Sequence, residues 1–125
     1  MVKYFADTYA LIEILRGSPA YQRYALEELT TTMFNLLELA YALIKDFEPS
    51  QALNILTQVQ EHVQVIEPSI EDLVNASKLR LKARQEGRNL SLINCLGYVI
   101  AKRLDIKFLT GDREFKGLEN VEFVK

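Results

Sequence analysis

Short hydrophobic segments rich in β-branched and aromatic residues alternate along this chain with longer stretches in which apolar residues recur every three or four positions. The short segments have the length and composition of buried β-strands. Five of them are predicted to be strands, at residues 2–6, 29–33, 63–66, 106–110 and 121–124. The longer stretches have the period of α-helices.

Capping residues divide the longer stretches into separate helices. Ser18 followed by Pro19 opens the second helix, because serine is a good N-cap and proline fits the first helical turn. Ser69 with Asp72 three residues later resembles a capping box, and Ser91 is an N-cap for the last helix. The predicted helices cover approximately residues 8–16, 18–29, 34–47, 49–61, 69–87 and 92–104.

This alternation of strands and helices predicts an α/β fold. Consecutive strands joined through helices form a parallel sheet that is covered on both faces. We therefore expect a three-layer α/β/α sandwich with a central, mainly parallel sheet of about five strands. The 125 residues have the length of one domain, so residues 1–125 are predicted to form a single domain.

Composition excludes several kinds of chemistry. A lone Cys95 forms no internal disulfide, and with His62 as the only histidine there is no zinc cluster or histidine-based triad. Hydrophobic stretches are too short to span a bilayer, and Asp7 and Glu13 interrupt any signal peptide. We expect a soluble, cytoplasmic protein without a membrane partner.

Charge is unevenly distributed. The chain has a net charge of −2, yet five basic residues lie between Lys78 and Arg88. Such a segment is compatible with a polyanionic partner, but a solvated helix face explains it equally well.

Four polar side chains are predicted to meet at one edge of the sheet, where the strands end and ligands bind in open α/β folds. Asp7 follows the first strand, and Asp112 follows the fourth. Glu38 and Asn94 lie in the first turns of two helices. Clustered carboxylates require cations to offset their repulsion, and oxygen ligands without His or Cys suit Mg²⁺ or Mn²⁺.

Each of these residues also has a purely structural interpretation. Asp7 could be the N-cap of the next helix, and Asn94 could complete the hydrogen bonds of a first helical turn. Glu38 could lie on a polar stripe of its helix, and Asp112 stands in a common type of turn. Only the four residues together indicate a metal site.

The motifs around these residues resemble the PIN-domain family, and most closely the VapC ribonuclease toxins of VapBC toxin–antitoxin pairs. They occur in order over nearly the whole chain: ADTYALI at 6–12, NLLEL at 35–39, LSLIN at 90–94 and LTGDREF at 109–115. The resemblance implies that Asp7, Glu38 and Asp112 are acidic metal ligands and that Thr110 supports the site. It further implies an endoribonuclease that uses Mg²⁺ or Mn²⁺, cleaves RNA and has an antitoxin partner.

Asn94 departs from the family pattern, which has aspartate at this position. An amide offers a neutral oxygen and removes one negative charge, so the alternative is a catalytically degenerate PIN domain that binds RNA or protein. A phospho-acceptor protein with Asp7 as nucleophile is disfavoured, because Tyr9 stands where such proteins of the haloacid-dehalogenase type need an acid. For the nuclease, backbone contacts to RNA are predicted for Lys78, Lys82, Arg84, Arg88 and Arg113.

The helix predicted at 34–47 is apolar on all sides. Its own sheet is too small to cover every face, so we expect exposed hydrophobic surface there, extended by Tyr21 and Tyr24 of the preceding helix. This surface predicts a homodimer and a groove for an antitoxin segment. The helix side chains concerned are Phe34, Leu36, Leu37, Leu39, Tyr41, Leu43 and Ile44.

Overall fold

A computed structural model describes residues 2–125 and contains a five-stranded sheet in which every neighbouring pair of strands is parallel. The order across the sheet is β3-β2-β1-β4-β5. The strands are β1 Lys3–Ala6, β2 Glu28–Thr32, β3 Gln64–Ile66, β4 Lys107–Thr110 and β5 Val121–Phe123. The predicted parallel sheet is confirmed, with strand ends within one or two residues of the expected positions.

Five α-helices and two 3-10 helices connect the strands. The α-helices are α1 Thr8–Leu15, α2 Met33–Asp46, α3 Pro49–His62, α4 Ile70–Gln85 and α5 Leu92–Arg103. The 3-10 helices are Pro19–Leu26 and Arg113–Phe115. Ser69 and Asp72 form the expected capping box, and Ser91 caps α5. No helix within residues 2–125 has the length and apolar character needed to cross a membrane.

Two hydrophobic cores lie on opposite faces of the sheet. Tyr4 and Leu109 belong to the core beneath α1, α2 and α3, whereas Phe5 and Phe108 belong to the core beneath α4 and α5. Neighbouring residues of one strand point to opposite faces, so β1 and β4 each supply side chains to both cores. This arrangement is the predicted three-layer α/β/α sandwich.

The segment after Gly17 differs from the prediction. It forms a 3-10 helix, Pro19–Leu26, and the Ser18 hydroxyl donates to the Glu13 carboxylate rather than capping the helix. Three residues per turn place Tyr21 and Tyr24 on the same side. Both side chains are buried, so the expectation that they decorate the surface was wrong.

The C-terminal strand is tied to this helix through the same tyrosines. Tyr21 donates its hydroxyl hydrogen to the carbonyl of Val124 (2.6 Å), and Tyr24 donates to the Glu122 carboxylate (2.6 Å). Glu122 is half-buried and accepts this hydrogen bond.

Helix α2 has one buried face and one exposed apolar face. Leu36, Leu39 and Leu43 are buried against the first core. The remaining apolar side chains form what we call the α2 outer face: Met33, Phe34, Leu37, Tyr41 and Ile44, all exposed. Within that face Leu37 is 69% exposed and Tyr41 67%, so the expected uncovered hydrophobic surface exists, although on one side only.

The direction of chain progression reverses between β1 and β4. From β1 the chain moves through β2 to β3 on one side, and it then returns to place β4 on the other side of β1. A crevice forms where two such connections leave a sheet in opposite directions. Asp7 and Asp112 each follow one of these two strands.

Candidate active site

Asp7 lies at the carboxyl end of β1 and is 1% exposed. Its Oδ1 accepts a hydrogen bond from the Ala10 backbone (2.8 Å), so Asp7 is the N-cap of α1. Its Oδ2 accepts a hydrogen bond from the hydroxyl of Thr110. The structural interpretation of Asp7 is therefore correct, and the cap also orients its carboxylate toward β4.

The pKa of Asp7 is raised from 3.8 to about 7, chiefly because the carboxyl group is buried. The carboxylates of Asp112 and Glu38 raise the pKa further, whereas the hydrogen bonds from Thr110 and Ala10 oppose the shift. Asp7 thus lies within electrostatic reach of both predicted partners, and no Lys, Arg or His side chain within residues 2–125 forms a salt bridge with it.

A different buried acid shows what a cation does. Asp72 accepts two hydrogen bonds from Arg103, at 2.9 and 2.7 Å, and the pKa of Asp72 is lowered mainly by that contact. It was expected only to stabilise the first turn of α4, which it does by bonding the Ser69 backbone. Asp7 has the opposite environment, which sets it apart from an acid with a purely structural role.

Thr110 links Asp7 to Asp112. Its hydroxyl donates to Asp7 and accepts a hydrogen bond from the Asp112 backbone (3.0 Å). Oδ1 of Asp112 accepts from the backbone of Glu114 (3.0 Å), which fixes the turn after β4. Gly111 is required between them, because a Cβ there would lie 2.1 Å from Cε1 of Tyr9.

Asn94 reaches the same cluster from α5. Its Nδ2 donates to Oδ2 of Asp112 (3.2 Å), while its backbone N–H is capped by Ser91 (3.1 Å). Asn94 therefore has two roles. Its backbone belongs to the capped first turn of α5, and its side-chain amide occupies one carboxylate oxygen of Asp112.

Glu38 enters from α2 and is held by two residues that the sequence did not identify. The hydroxyl of Thr8 donates to Oε1 of Glu38 (2.6 Å), and Nδ2 of Asn35 donates to Thr8 (3.2 Å). The available signals were the position of Thr8 directly after Asp7 and an asparagine near the start of an otherwise apolar helix. The structure thus assembles two groups of hydrogen-bonded residues, Asp7–Thr110–Asp112–Asn94 and Asn35–Thr8–Glu38.

The donor set fits magnesium or manganese in its chemistry. Within residues 2–125, no three His, Cys, Asp or Glu side chains lie close enough to bind one ion jointly. Mg²⁺, however, commonly binds through one or two carboxylates and retains several of its waters. The neighbouring pair Asp7 and Asp112 supplies such ligands, and the repulsion between them would be relieved by a cation.

Some of the predicted RNA-binding residues lie beside this cluster. Nη1 of Arg88 donates to the carbonyl of Glu114 (2.8 Å), and the Asn89 backbone donates to the Glu114 carboxylate (2.7 Å). These bonds attach the loop between α4 and α5 to the turn that carries Asp112 and the exposed Arg113. Lys78, Lys82 and Arg84 are exposed on α4.

A separate apolar groove of about 570 Å³ opens between α1, α2 and α3. Apolar side chains such as Leu15, Ala42 and Ile55 line it, together with charged Arg16 and Asp46. Its wall includes none of the three acids Asp7, Glu38 and Asp112. The groove includes residues at the start of β2, so it lies away from the carboxylate cluster.

The chain belongs to the PIN domain family, because the model of that family matches residues 4–121. No curated protein matches the sequence.

Similar solved structures include toxin–antitoxin proteins. VapBC2 from Rickettsia felis, bound to a DNA fragment from its promoter, has a TM-score of 0.77 and 19% identity, covering 99% of this chain and 100% of that one. DNA-bound VapBC from Salmonella typhimurium has a TM-score of 0.78 and 17% identity, covering 98% and 97%. VapC20 from Mycobacterium tuberculosis, a Sarcin-Ricin loop cleaving toxin, has a TM-score of 0.76 and 16% identity, covering 98% and 99%. This chain therefore has a VapC-like fold.

Proposed function

We propose that this protein is a Mg²⁺- or Mn²⁺-dependent endoribonuclease, acting in the cytoplasm as the toxin of a VapBC-type pair. The observation that carries the proposal is the buried carboxylate of Asp7, joined through Thr110 to Asp112 where the direction of chain progression across the sheet reverses. An ionised acid that is buried beside other acids destabilises the folded protein unless a cation binds there. Membership of a nuclease family supports the same assignment.

The roles of the residues follow from their contacts. Asp7 and Asp112 would hold the ion, and Glu38 would contact it through a bound water. When bound, a divalent ion activates water for attack on phosphorus and stabilises the charge that develops on the phosphoryl group. Thr110 bonds both the Asp7 carboxylate and the Asp112 backbone, and so ties the end of β1 to the turn after β4. Arg88 and Arg113 lie where an RNA backbone entering the crevice would meet positive charge.

The test is incubation of the purified protein with a mixed RNA pool in Mn²⁺, Mg²⁺ or EDTA. We expect cleavage only with metal, and its loss in Asp7→Asn, which keeps the shape of the side chain. Asp105→Asn is the matched control, because Asp105 is exposed and its positive φ of 58° suits asparagine equally well. Cleavage that survives EDTA or the Asp7→Asn substitution would contradict the proposal.

A second candidate function is RNA binding without cleavage. The hydrogen bond from Asn94 to Asp112 supports it, because a neutral donor occupies an oxygen that a metal would otherwise contact. Fluorescence anisotropy on labelled RNA separates the two functions. Tight binding with no cleavage in either the native chain or Asn94→Asp would favour the binding module.

For the partner, we propose that an apolar segment of an antitoxin occupies the groove between α1, α2 and α3. Similar structures include toxin–antitoxin complexes, and the groove offers an apolar wall with charges of both signs. Ala42→Arg should obstruct the groove and abolish complex formation with a co-expressed candidate antitoxin on size-exclusion chromatography. Gln60→Arg, on the exposed side of α3, is the control and should leave the complex intact.

A further inference from the structure

Glu38 is anchored by a chain of side-chain hydrogen bonds that begins at the end of β2. Asn35 is 1% exposed, and its Oδ1 accepts from the hydroxyl (2.6 Å) and the backbone N–H (3.3 Å) of Thr32. Its Nδ2 donates to the hydroxyl of Thr8, which donates to Glu38. The chain thus joins β2, α2 and α1 at the edge of the sheet where Asp7 lies.

In this chain of hydrogen bonds, the donor and the acceptor can be assigned at every step. The backbone N–H of Thr32 is only a donor, so the Asn35 atom facing it must be the carbonyl oxygen. The amide nitrogen must then face Thr8. Since Thr8 accepts from that nitrogen, its single hydroxyl hydrogen is available to Glu38.

Helix capping alone does not account for this arrangement. The capping box at the start of α2 uses only the oxygen of Asn35. Aspartate or glutamine at the same position could provide that oxygen. The amide nitrogen donates to Thr8, and the capping box does not use this contact.

We propose that Asn35 and Thr8 are positioning residues that hold the Glu38 carboxylate toward the Asp7–Asp112 pair, so that it faces the waters of a bound divalent cation in one orientation. This inference rests on the proposed metal-dependent function. Oε1 of Glu38 is held by Thr8, which leaves Oε2 to accept a hydrogen bond from a water on the ion. Residues that orient ligands in this way typically change metal affinity by about 10- to 100-fold.

The experiment compares Thr8→Val, which removes the hydroxyl at nearly constant shape, with Thr8→Ser, which retains it. Calorimetric titration with Mn²⁺ should show binding weakened by about tenfold in Thr8→Val and changed less than about twofold in Thr8→Ser. Side-chain NMR couplings of Glu38, recorded without metal, should report one rotamer in the native chain and in Thr8→Ser. In Thr8→Val they should report rotamer averaging.

The two readouts separate this inference from the proposed function. If the native chain binds no Mn²⁺ but Glu38 loses its single rotamer in Thr8→Val, the metal function fails and the orienting role stands. Unchanged Glu38 couplings in Thr8→Val overturn the inference, whatever happens to Mn²⁺ affinity. If Thr8→Val does not fold, Asn35→Asp replaces it, because aspartate retains the cap oxygen and replaces the donor to Thr8 with a charged acceptor.

Discussion

Thr110 donates its hydroxyl hydrogen to Asp7 across 103 positions of sequence, and no other side chain joins the ends of β1 and β4 at this point among residues 2–125. The same oxygen accepts the backbone N–H of Asp112. One hydroxyl group therefore satisfies a buried acceptor and a neighbouring donor together. It also opposes the rise in the pKa of Asp7 that burial causes.

Thr110→Val should destabilise the protein, because it removes both hydrogen bonds while preserving the shape of the side chain. Leaving buried polar groups without a partner costs about 1–3 kcal/mol. Thr110→Ser retains the hydroxyl and should lose much less. Urea denaturation monitored by circular dichroism measures the difference, and equal midpoints for the two variants would contradict the role assigned to Thr110.

The pH dependence of stability should carry a signature of Asp7. The pKa of Asp7 is about 7 in the folded protein, compared with 3.8 for the ordinary carboxyl group. Between these two pH values the folded state therefore binds a proton that the unfolded state has lost. The contribution of this group to stability is therefore full below about pH 4 and is lost as pH rises toward 7. Asp7→Asn removes that loss while keeping the cap of α1.

Without metal, Asp7→Asn should melt at a higher temperature than the native chain, and the gap should be about 5–10 °C larger at pH 8 than at pH 5. Differential scanning calorimetry in EDTA measures it. Added Mn²⁺ should raise the melting temperature of the native chain but not that of Asp7→Asn. A gap that does not change with pH would show that Asp7 is not held in a destabilised ionised form.

Much of this fold could be predicted because its local signals agree. The alternation of strands and helices, the capping box at Ser69 and the cap at Ser91 all coincide with the structure. The segment 19–26 was misassigned because Ser18, a good N-cap by type, bonds Glu13 instead. Tyr21 and Tyr24 find their partners about 100 residues later, in a contact that no local pattern encodes.

The site was predictable to the extent that strand ends define it. Asp7 and Asp112 follow parallel neighbours, so the topology brings them together. Thr8 and Asn35 were missed because their importance lies in which atom donates to which, and residue type alone leaves that open.

Asn94→Asp should have opposite effects on stability with and without metal. The substitution removes the donor to Asp112 and places a second carboxylate beside it, so the metal-free protein should melt at a lower temperature. The added charge should tighten Mn²⁺ binding by roughly tenfold and increase RNA cleavage.

The control for Asn94→Asp is Asn54→Asp, which adds the same charge at an exposed position of α3 and should change neither the melting temperature nor the Mn²⁺ affinity. Calorimetric titration and melting curves measure both effects, and unchanged Mn²⁺ affinity would remove Asn94 from the site.

The α2 outer face should mediate formation of a homodimer. Exposed apolar side chains of this size on one helix face favour association with a second copy. Leu37→Lys combined with Tyr41→Lys should convert the dimer to the 14.4 kDa monomer. Leu26→Lys, at a residue that is 76% exposed outside that face, should leave the dimer intact. Analytical ultracentrifugation measures the mass of the native chain and of the variants in solution. A monomeric native chain at high concentration would refute the prediction.

The pairing of β1 with β4 also has a consequence during protein synthesis. Asp7 emerges from the ribosome 103 residues before Thr110, and Asp112 follows Thr110 by two residues. Contacts so distant in sequence form late in folding. A truncated product of interrupted translation that contains Asp7 and Glu38 would therefore lack the residues that complete the carboxylate cluster.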